Sequence, residues 1–357
     1  MSRRGRILPR EGFYIDPLVT ITRRTICHPI SAVLLVSYVQ YFPNSTLECF
    51  KTFIVYNAFL ISVLWINDFL SKWSRNNWTT DATWDWTKEI VVVTGGSSGI
   101  GASIVNRLAD DGVSIVVVDI APLTYNIDNK PVAFFRCDLS NEEEIRAVCL
   151  RIREEVGNPT VLVNNAGIIR GRMIAEGTYS GNALTLKTNL LAPLLLCKEF
   201  LPYMIHRNHG HIVNVSSLSA YIPPPTLADY AASKAGLLIL DEVLGLELRY
   251  YYKSPKVRTS SVVLGFTGTP MIKGEVNLPG FILPLMHVDT VGDAIVDALY
   301  SGYGHQIYLP GITRHLASVR GFPEWLQKFI FCFTNGLKVD VRGRQNIDPR
   351  TGRLSSV

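Results

Sequence analysis

The strand-like run Glu89-Ile90-Val91-Val92-Val93 leads directly into Thr94-Gly95-Gly96-Ser97-Ser98-Gly99-Ile100-Gly101, and then into a helical stretch through Asp110. That succession of strand, glycine turn and helix constrains the chain more than any other feature. Glycine is needed where the backbone turns tightly and must approach a pyrophosphate closely. The unpaired N–H groups and dipole of the next helix suit the same anion. A glycine turn alone is weak evidence, because any βα corner can hold one.

The surrounding pattern strengthens it. Short β-branched runs at 90–93, 114–118, 132–135, 161–163, 211–215, 257–264 and 306–309 alternate with longer helical segments. Several runs are apolar without alternation, as parallel strands covered on both faces require. The expected fold class is α/β, a Rossmann-type doubly wound parallel sheet over 88–311, with an N-terminal membrane-associated helical segment. At 357 residues, 47% of them apolar, the chain can bury such a core.

The segment before the sheet, 1–87, reads differently. Arg3, Arg4, Arg6, Arg10, Arg23 and Arg24 face only Glu11 and Asp16, an asymmetry that suits anionic lipid better than nucleic acid. Two charge-free stretches follow, 29–47, broken by Pro43 and Asn44, and 52–67. At about 1.5 Å per residue, both fall at or below what a hydrocarbon core of about 30 Å demands, so a hairpin in one leaflet or two short spans is expected. Arg23 and Arg24 before, and Lys72 and Arg75 after, place both ends in the cytosol by the positive-inside bias. Trp65, Trp73, Trp78, Trp84 and Trp86 are expected at the interface. A helical hairpin packed on the soluble core is the alternative. The late start of the apolar run argues against a secretory signal, and Pro9 and Pro17 against a mitochondrial presequence.

Asp119 closes the second strand, where a carboxylate can accept hydrogen bonds from ribose hydroxyls and repel a 2′-phosphate. No Arg or Lys follows closely, so NAD is favoured over NADP. Asp138 is placed to reach an adenine edge, unless it merely precedes a Ser140/Glu143 capping box. The six cysteines are scattered without metal-ligand spacing, which points to a reducing compartment and no structural metal.

TGGSSGIG, Asn164-Asn165-Ala166-Gly167, Ser217, Tyr230 and Lys234 together resemble the short-chain dehydrogenase/reductase family over roughly 88–310. Tyr-x-x-x-Lys recurs at Tyr252 and Lys256, but only Tyr230 lies thirteen residues after a serine that follows a strand. Residues four apart share a helix face, so Lys234 can lie beneath the Tyr230 ring and draw a phenol of pKa ~10 toward the range for proton transfer. Ser217, better spaced than Ser216, would stabilise charge on the substrate oxygen.

The resemblance further implies that Lys234 holds the nicotinamide ribose and that Asn189 disturbs its helix to carry a water to Lys234. An Asn among leucines could also be a satisfied core amide. The implied cofactor set is Gly95, Ser97, Ser98, Gly99, Ile100, Gly101, Asp119, Asp138, Leu139, Asn165, Ala166, Gly167, Tyr230, Lys234, Gly265 and Thr269. Leu264 stands where the family usually has proline, which puts the rigidity of the following loop in question. The apolar segment 271–286 covers the expected substrate site and points to a greasy ligand.

The layout, with a C-terminal extension over 312–357 rich in Trp325, Leu326, Phe329, Ile330 and Phe333, is similar to the microsomal and lipid-droplet branch of retinol and long-chain lipid dehydrogenases. That implies a lipophilic substrate, membrane lipid contact at endoplasmic reticulum or lipid droplet, and a homodimer. The extension would cap the substrate, pair subunits or touch membrane. Two rivals remain: an NADPH-dependent ketone reductase of lipid biosynthesis, and an idle nucleotide-binding scaffold, against which the complete Asn189, Ser217, Tyr230, Lys234 set argues.

Overall fold

The computed structural model describes residues 9–42, 48–271 and 280–336. Three helices come first, α1 (Ile15–Arg24), α2 (Pro29–Tyr41) and α3 (Lys51–Arg75). The α/β domain then runs β1 (Ile90–Thr94), α4 (Gly99–Asp110), β2 (Ser114–Asp119), β3 (Val132–Arg136), α5 (Glu142–Glu155), β4 (Val161–Asn164), α6 (Tyr179–Leu186) and α7 (Ala192–Arg207). It continues through β5 (Gly210–Ser217), α8 (Ala228–Leu246), β6 (Val257–Leu264), α9 (Val288–Tyr300) and β7 (Gln306–Leu309), before α10 (Glu324–Cys332).

All seven expected strands form within two residues of their predicted ends, in the order β3-β2-β1-β4-β5-β6-β7. Every pairing is parallel. Successive side chains on a strand face opposite ways. Val92 therefore enters the core under α5, α7 and α8, while Val91 and Val93 enter the one under α4 and α9. Strand order reverses between β1 and β4, which opens a crevice at their carboxyl ends.

The N-terminal segment departs from expectation. Helix α2 has only 13 residues, but α3 has 25 and runs past both ends of the charge-free stretch. At about 1.5 Å per residue it is about 37 Å long, enough to cross a bilayer by length and composition. The helix continues through Asp68, Lys72 and Arg75 because each charge finds a partner. Asp68 pairs with Arg23 and, at 3.4 Å, with Arg314. Lys72 lies 4.5 Å from the Tyr303 ring centroid, and Arg75 reaches buried Asp241 at 3.2 Å. Helices α2 and α3 pack on each other, and Trp65 Nε1 donates to the Cys27 carbonyl at 2.8 Å. Their outer faces stay bare, with Tyr56 70% and Phe59 69% exposed.

Several charges and rings expected at lipid are engaged within the protein. Arg10 pairs with Asp293 at 2.8 Å, and Arg23 with Asp68. Arg3, Arg4, Arg6, Pro43 and Asn44 lie outside the described residues, as do 272–279 of the apolar substrate segment and 337–357 of the extension. Trp84 and Trp86 stack on each other, centroids 5.3 Å apart, against the core under α4 and α9. They are not interface anchors, because the linker after α3 folds back onto the domain.

Candidate active site

The glycine turn is shaped by what surrounds it. Gly95 and Gly99 take positive φ, 65° and 58°. A Cβ on Gly101 would lie 2.2 Å from the Gly95 carbonyl oxygen and 2.8 Å from Asn165 Nδ2, so any side chain there would push α4 off the loop. Ser98 precedes α4 in extended conformation, and the first turn of α4 begins directly at the glycine loop, where main-chain N–H groups suit an anion. Ile100 packs against the core. The Ser97 hydroxyl turns inward and donates to the Ala121 carbonyl at 2.7 Å.

Asp119, at the end of β2, accepts from the Ser97 N–H with one carboxylate oxygen and from the Ala121 N–H with the other, both at 3.0 Å. Each oxygen keeps a lone pair for a ribose hydroxyl. In the β2/β3 register Arg136 comes level with Asp119, a basic neighbour that the sequence separation concealed. Asp138 Oδ1 accepts from the Ser140 N–H and hydroxyl. The cap of α5 is Asn141, which accepts from the Glu143 and Glu144 N–H groups, so the predicted Ser140/Glu143 box is displaced by one residue. Leu139 is buried in the core, leaving its main chain for any ligand contact.

Other side chains hold the loop. Thr94 Oγ1 accepts from the N–H of Asn165 and of Ala166, and Asn165 Nδ2 donates to the carbonyls of Thr94 and Gly95. Tyr125 donates to the Gly96 carbonyl at 2.8 Å, and Thr124 Oγ1 to the Ser97 carbonyl at 2.7 Å. No motif marks Thr124 or Tyr125, whose segment is irregular, so sequence offered no signal for them.

The second half of the site forms where β5 meets α8. Ser216 donates to the Lys234 main-chain carbonyl at 2.7 Å, which ties strand to helix and leaves Ser217 for the crevice. Ser217, whose Oγ accepts from the Ser219 N–H at 3.2 Å, neighbours Tyr230 and acts to hold its phenol down, and Lys234 Nζ lies 5.7 Å from the Tyr230 ring centroid. Lys234 is buried and donates to the Val215 carbonyl at 2.8 Å. Burial brings its ammonium down to about 8. Burial also pushes the Tyr230 phenol up, outweighing Ser217. The expected lowering of that phenol by Lys234 is therefore not the net effect in this geometry.

Asn189 joins the two halves. It sits in a π-turn, Lys187–Leu191, that interrupts the helix between α6 and α7. Its amide exchanges two 2.8 Å hydrogen bonds with the Ile168 backbone and donates to Ser233 at 3.2 Å. Both sequence readings of Asn189 thus apply in part: the helix is disturbed and the amide is satisfied. A Cβ on Gly167 would lie 3.4 Å from Lys234 Nζ and 3.5 Å from Asn189 Oδ1, so the NNAG segment passes directly beside the lysine.

The loop after β6 closes the far side. Gly265 donates to the Leu309 carbonyl at 2.7 Å and packs on Pro310, which supplies the fixed geometry that proline at position 264 would otherwise give. A Cβ on Gly99 would lie 3.6 Å from Thr269 Cγ2, so Thr269 overhangs the glycine turn. The decoy pair stays away: Tyr252 is 46% exposed at a helix end, and the Lys256 backbone binds Asn208. Burial pushes the thiols of Cys137, Cys149 and Cys197 up to about 12, which leaves them inert.

A dinucleotide fits these residues, since the glycine positions leave the room a pyrophosphate needs and Asp119 stands at the ribose position. Residues 89–277 match the family model described as short chain dehydrogenase. The chain is 40% identical over 198 residues to dehydrogenase RED2 of Cochliobolus heterostrophus, covering 55% of this chain and 75% of that one. It is 31% identical to epidermal retinol dehydrogenase 2 of Mus musculus, covering 62% and 73%. Among solved structures, a metagenomic short-chain oxidoreductase in complex with NADP superposes with a TM-score of 0.50 at 28% identity, over 62% of this chain and 97% of that one.

Proposed function

We propose, on the premise that this chain belongs to the short-chain dehydrogenase family, that it interconverts a hydroxyl and a carbonyl on a lipophilic substrate with Tyr230 as acid and base. As a member it is an NAD(P)-dependent oxidoreductase acting on CH–OH groups. The observation that carries the finer reading is the Lys234 ammonium 5.7 Å from the Tyr230 ring, at the crevice where the NNAG segment passes beside the lysine.

The nicotinamide, when bound, supplies or accepts the hydride. Ser217 orients the substrate oxygen, and Tyr230 gives it a proton in reduction or takes one in oxidation, a step that contributes about 10²–10⁴-fold. Lys234 stabilises the phenolate as charge develops. Gly95, Ser98, Gly99, Ile100 and Gly101 offer main chain to the pyrophosphate, and Asp119 the ribose. Asp138, Leu139, Asn165, Ala166, Gly265 and Thr269 line the remaining length. The fixed Asp119 carboxylate supports NAD, while Arg136 beside it is the residue that would serve NADP.

The substrate class is a retinoid, steroid or long-chain lipid, supported by the retinol dehydrogenase relative and by the exposed apolar residues Phe281, Ile282 and Leu285 beside the site. The bare faces of α2 and α3 support attachment to a membrane, with the catalytic domain in the cytosol at endoplasmic reticulum or lipid droplet. A homodimer is the expected assembly. The second reading, an NADPH-dependent ketone reductase of lipid biosynthesis, is supported by Arg136, which lies level with Asp119 in the β2/β3 register. Purified protein assayed with NAD(H) and NADP(H) against retinoids, sterols and long-chain alcohols and ketones tests both. Absence of turnover on every lipophilic probe would overturn the substrate class.

A further inference from the structure

The residues ahead of the membrane hairpin do not hang free. Arg10 reaches Asp293 on α9, and Glu11 accepts from the His287 N–H at 3.0 Å. The Phe13 ring lies 5.8 Å from that of Phe281, and Ile15 N–H donates to the Phe281 carbonyl at 3.0 Å. Asp16 accepts from the N–H groups of Gly311 and, at 2.9 Å, Ile312, just past the end of β7. Every one of these partners belongs to the carboxyl side of the sheet or to α9.

Phe281 and His287 belong to the connection between β6 and α9 that also carries Thr269. The connection folds back on itself, because Gly268 donates to the Met286 carbonyl and Met286 to the Phe266 carbonyl, each at 2.9 Å. Whatever fixes 281–287 is therefore tied to 266–268, the stretch between the end of β6 and Thr269.

The hairpin is fastened again at the opposite end of the same edge strand. Asn76, just after α3, exchanges hydrogen bonds with Gly304, which precedes β7, at 2.7 and 3.2 Å. Buried Arg258 donates to the carbonyls of Asn76 and Thr79, both at 2.9 Å. A tether that merely anchored the domain would need neither attachment.

We propose that residues 10–16 form a strap that walls the substrate side of the site, with Asp16 as a positioning residue that holds the loop after β7 and the strap holding 281–287. The assignment of this side to substrate rests on the oxidoreductase reading above. The strap makes substrate affinity, and not nucleotide affinity, depend on residues that precede the membrane segment. A lipophilic substrate arriving along the hairpin would meet this wall first.

The test uses the full-length protein in phosphatidylcholine nanodiscs, as wild type, Asp16→Asn and Asp16→Ala. Amide exchange at 281–287 and 311–312 should accelerate in Asp16→Ala and less in Asp16→Asn, while 94–101 keeps its protection. With retinol as the probe, KM should rise about tenfold in Asp16→Ala with kcat within about twofold, the signature of lost binding common to ground and transition states. NADH affinity, read by fluorescence, should not change. Unaltered exchange at 281–287 overturns the strap whatever the kinetics, and faster exchange with an unaltered KM overturns its role as a wall. Equal losses of NADH and retinol affinity would show general destabilisation and overturn the assignment too. If wild type turns over no lipophilic probe, the substrate reading fails, and the exchange data decide the strap alone.

Discussion

Lys234 Nζ lies 5.7 Å from the centroid of the Tyr230 ring while donating to the Val215 carbonyl, so strand β5 and the tyrosine share one buried cation. The cation is therefore held against the ring by the scaffold. Replacing Tyr230 by Phe keeps the ring over that cation and removes only the oxygen. We expect Tyr230→Phe to lower kcat by about 10²–10⁴-fold with nucleotide affinity nearly intact. Tyr252→Phe should leave the rate unchanged. Steady-state rates and a nucleotide titration check both, and equal effects of the two substitutions would refute the assignment.

The pH profile follows from the same pair. Carbonyl reduction uses the neutral phenol, which burial favours, together with the charged lysine, whose ammonium sits at about 8. Reduction should be level through neutral pH and fall as pH rises through about 8. Alcohol oxidation, which needs both the phenolate and the charged lysine, should climb toward about 8 and level off above it as Lys234 loses its proton. Lys234→Met should abolish the break near 8 in the reduction profile, and its persistence there would exclude Lys234 as the titrating group.

His209 fastens the linker to the domain. Its ring bonds Asp81 at 2.7 Å and Glu89 at 3.2 Å, and lies 4.2 Å from the Trp84 ring. Burial opposes the imidazolium, but the hydrogen bonds to Glu89 and Asp81 outweigh it and raise the His209 pKa above 6.5. The folded state then holds a proton that the unfolded state releases, so this stabilisation is complete below about 6.5 and is lost as pH rises through the raised value. His209→Gln should cost on the order of 1 kcal/mol more at pH 6 than at pH 9. Urea melts at the two values check this, and an equal cost at both would mean that His209 is neutral in the fold.

Asp119→Ala combined with Ile120→Arg should shift the ratio of kcat/KM for NADP over NAD upward by about tenfold or more, by removing repulsion and adding a phosphate partner. The same change removes the acceptor of the Ser97 and Ala121 N–H groups, so a loss of about 1–3 kcal/mol in stability should accompany it. A wild-type preference for NADP would overturn the reading of Asp119 and direct attention to Arg136.

Asn77-Trp78-Thr79 has the form of a glycosylation acceptor, yet Asn77 Nδ2 donates to the Pro255 carbonyl at 3.2 Å and Thr79 Oγ1 to the Asn76 carbonyl at 3.1 Å. With the catalytic domain in the cytosol, no glycan should form. Protease should digest that domain in sealed microsomes, and carbonate should leave the protein in the membrane pellet. A protected domain would reverse the orientation, and carbonate release would exclude insertion. Removal of residues 1–75 is a poor test of anchoring alone, since it takes away the residues bound to Asp293, His287 and Gly311 together with the hairpin.

The order of strands and helices was legible in the chain because its causes are local. A buried parallel strand needs a contiguous apolar run such as 115–118, and Gly101 must be glycine whatever else the protein does. The Ser217, Tyr230 and Lys234 spacing was legible for the same reason, since a strand end and a helix turn fix it. What only tertiary structure decided are contacts between distant residues with no periodic trace: Arg10 with Asp293, Asp16 with Gly311, Asn76 with Gly304, Tyr125 with Gly96. Sequence also misjudged where charge ends a helix. Asp68 read as the edge of an apolar stretch, but Arg23 neutralises it and α3 runs on to Arg75. The partner of a charge is set by proximity in space, and the sign of the Tyr230 shift by how deeply the fold buries it. Neither is written in the neighbouring residues.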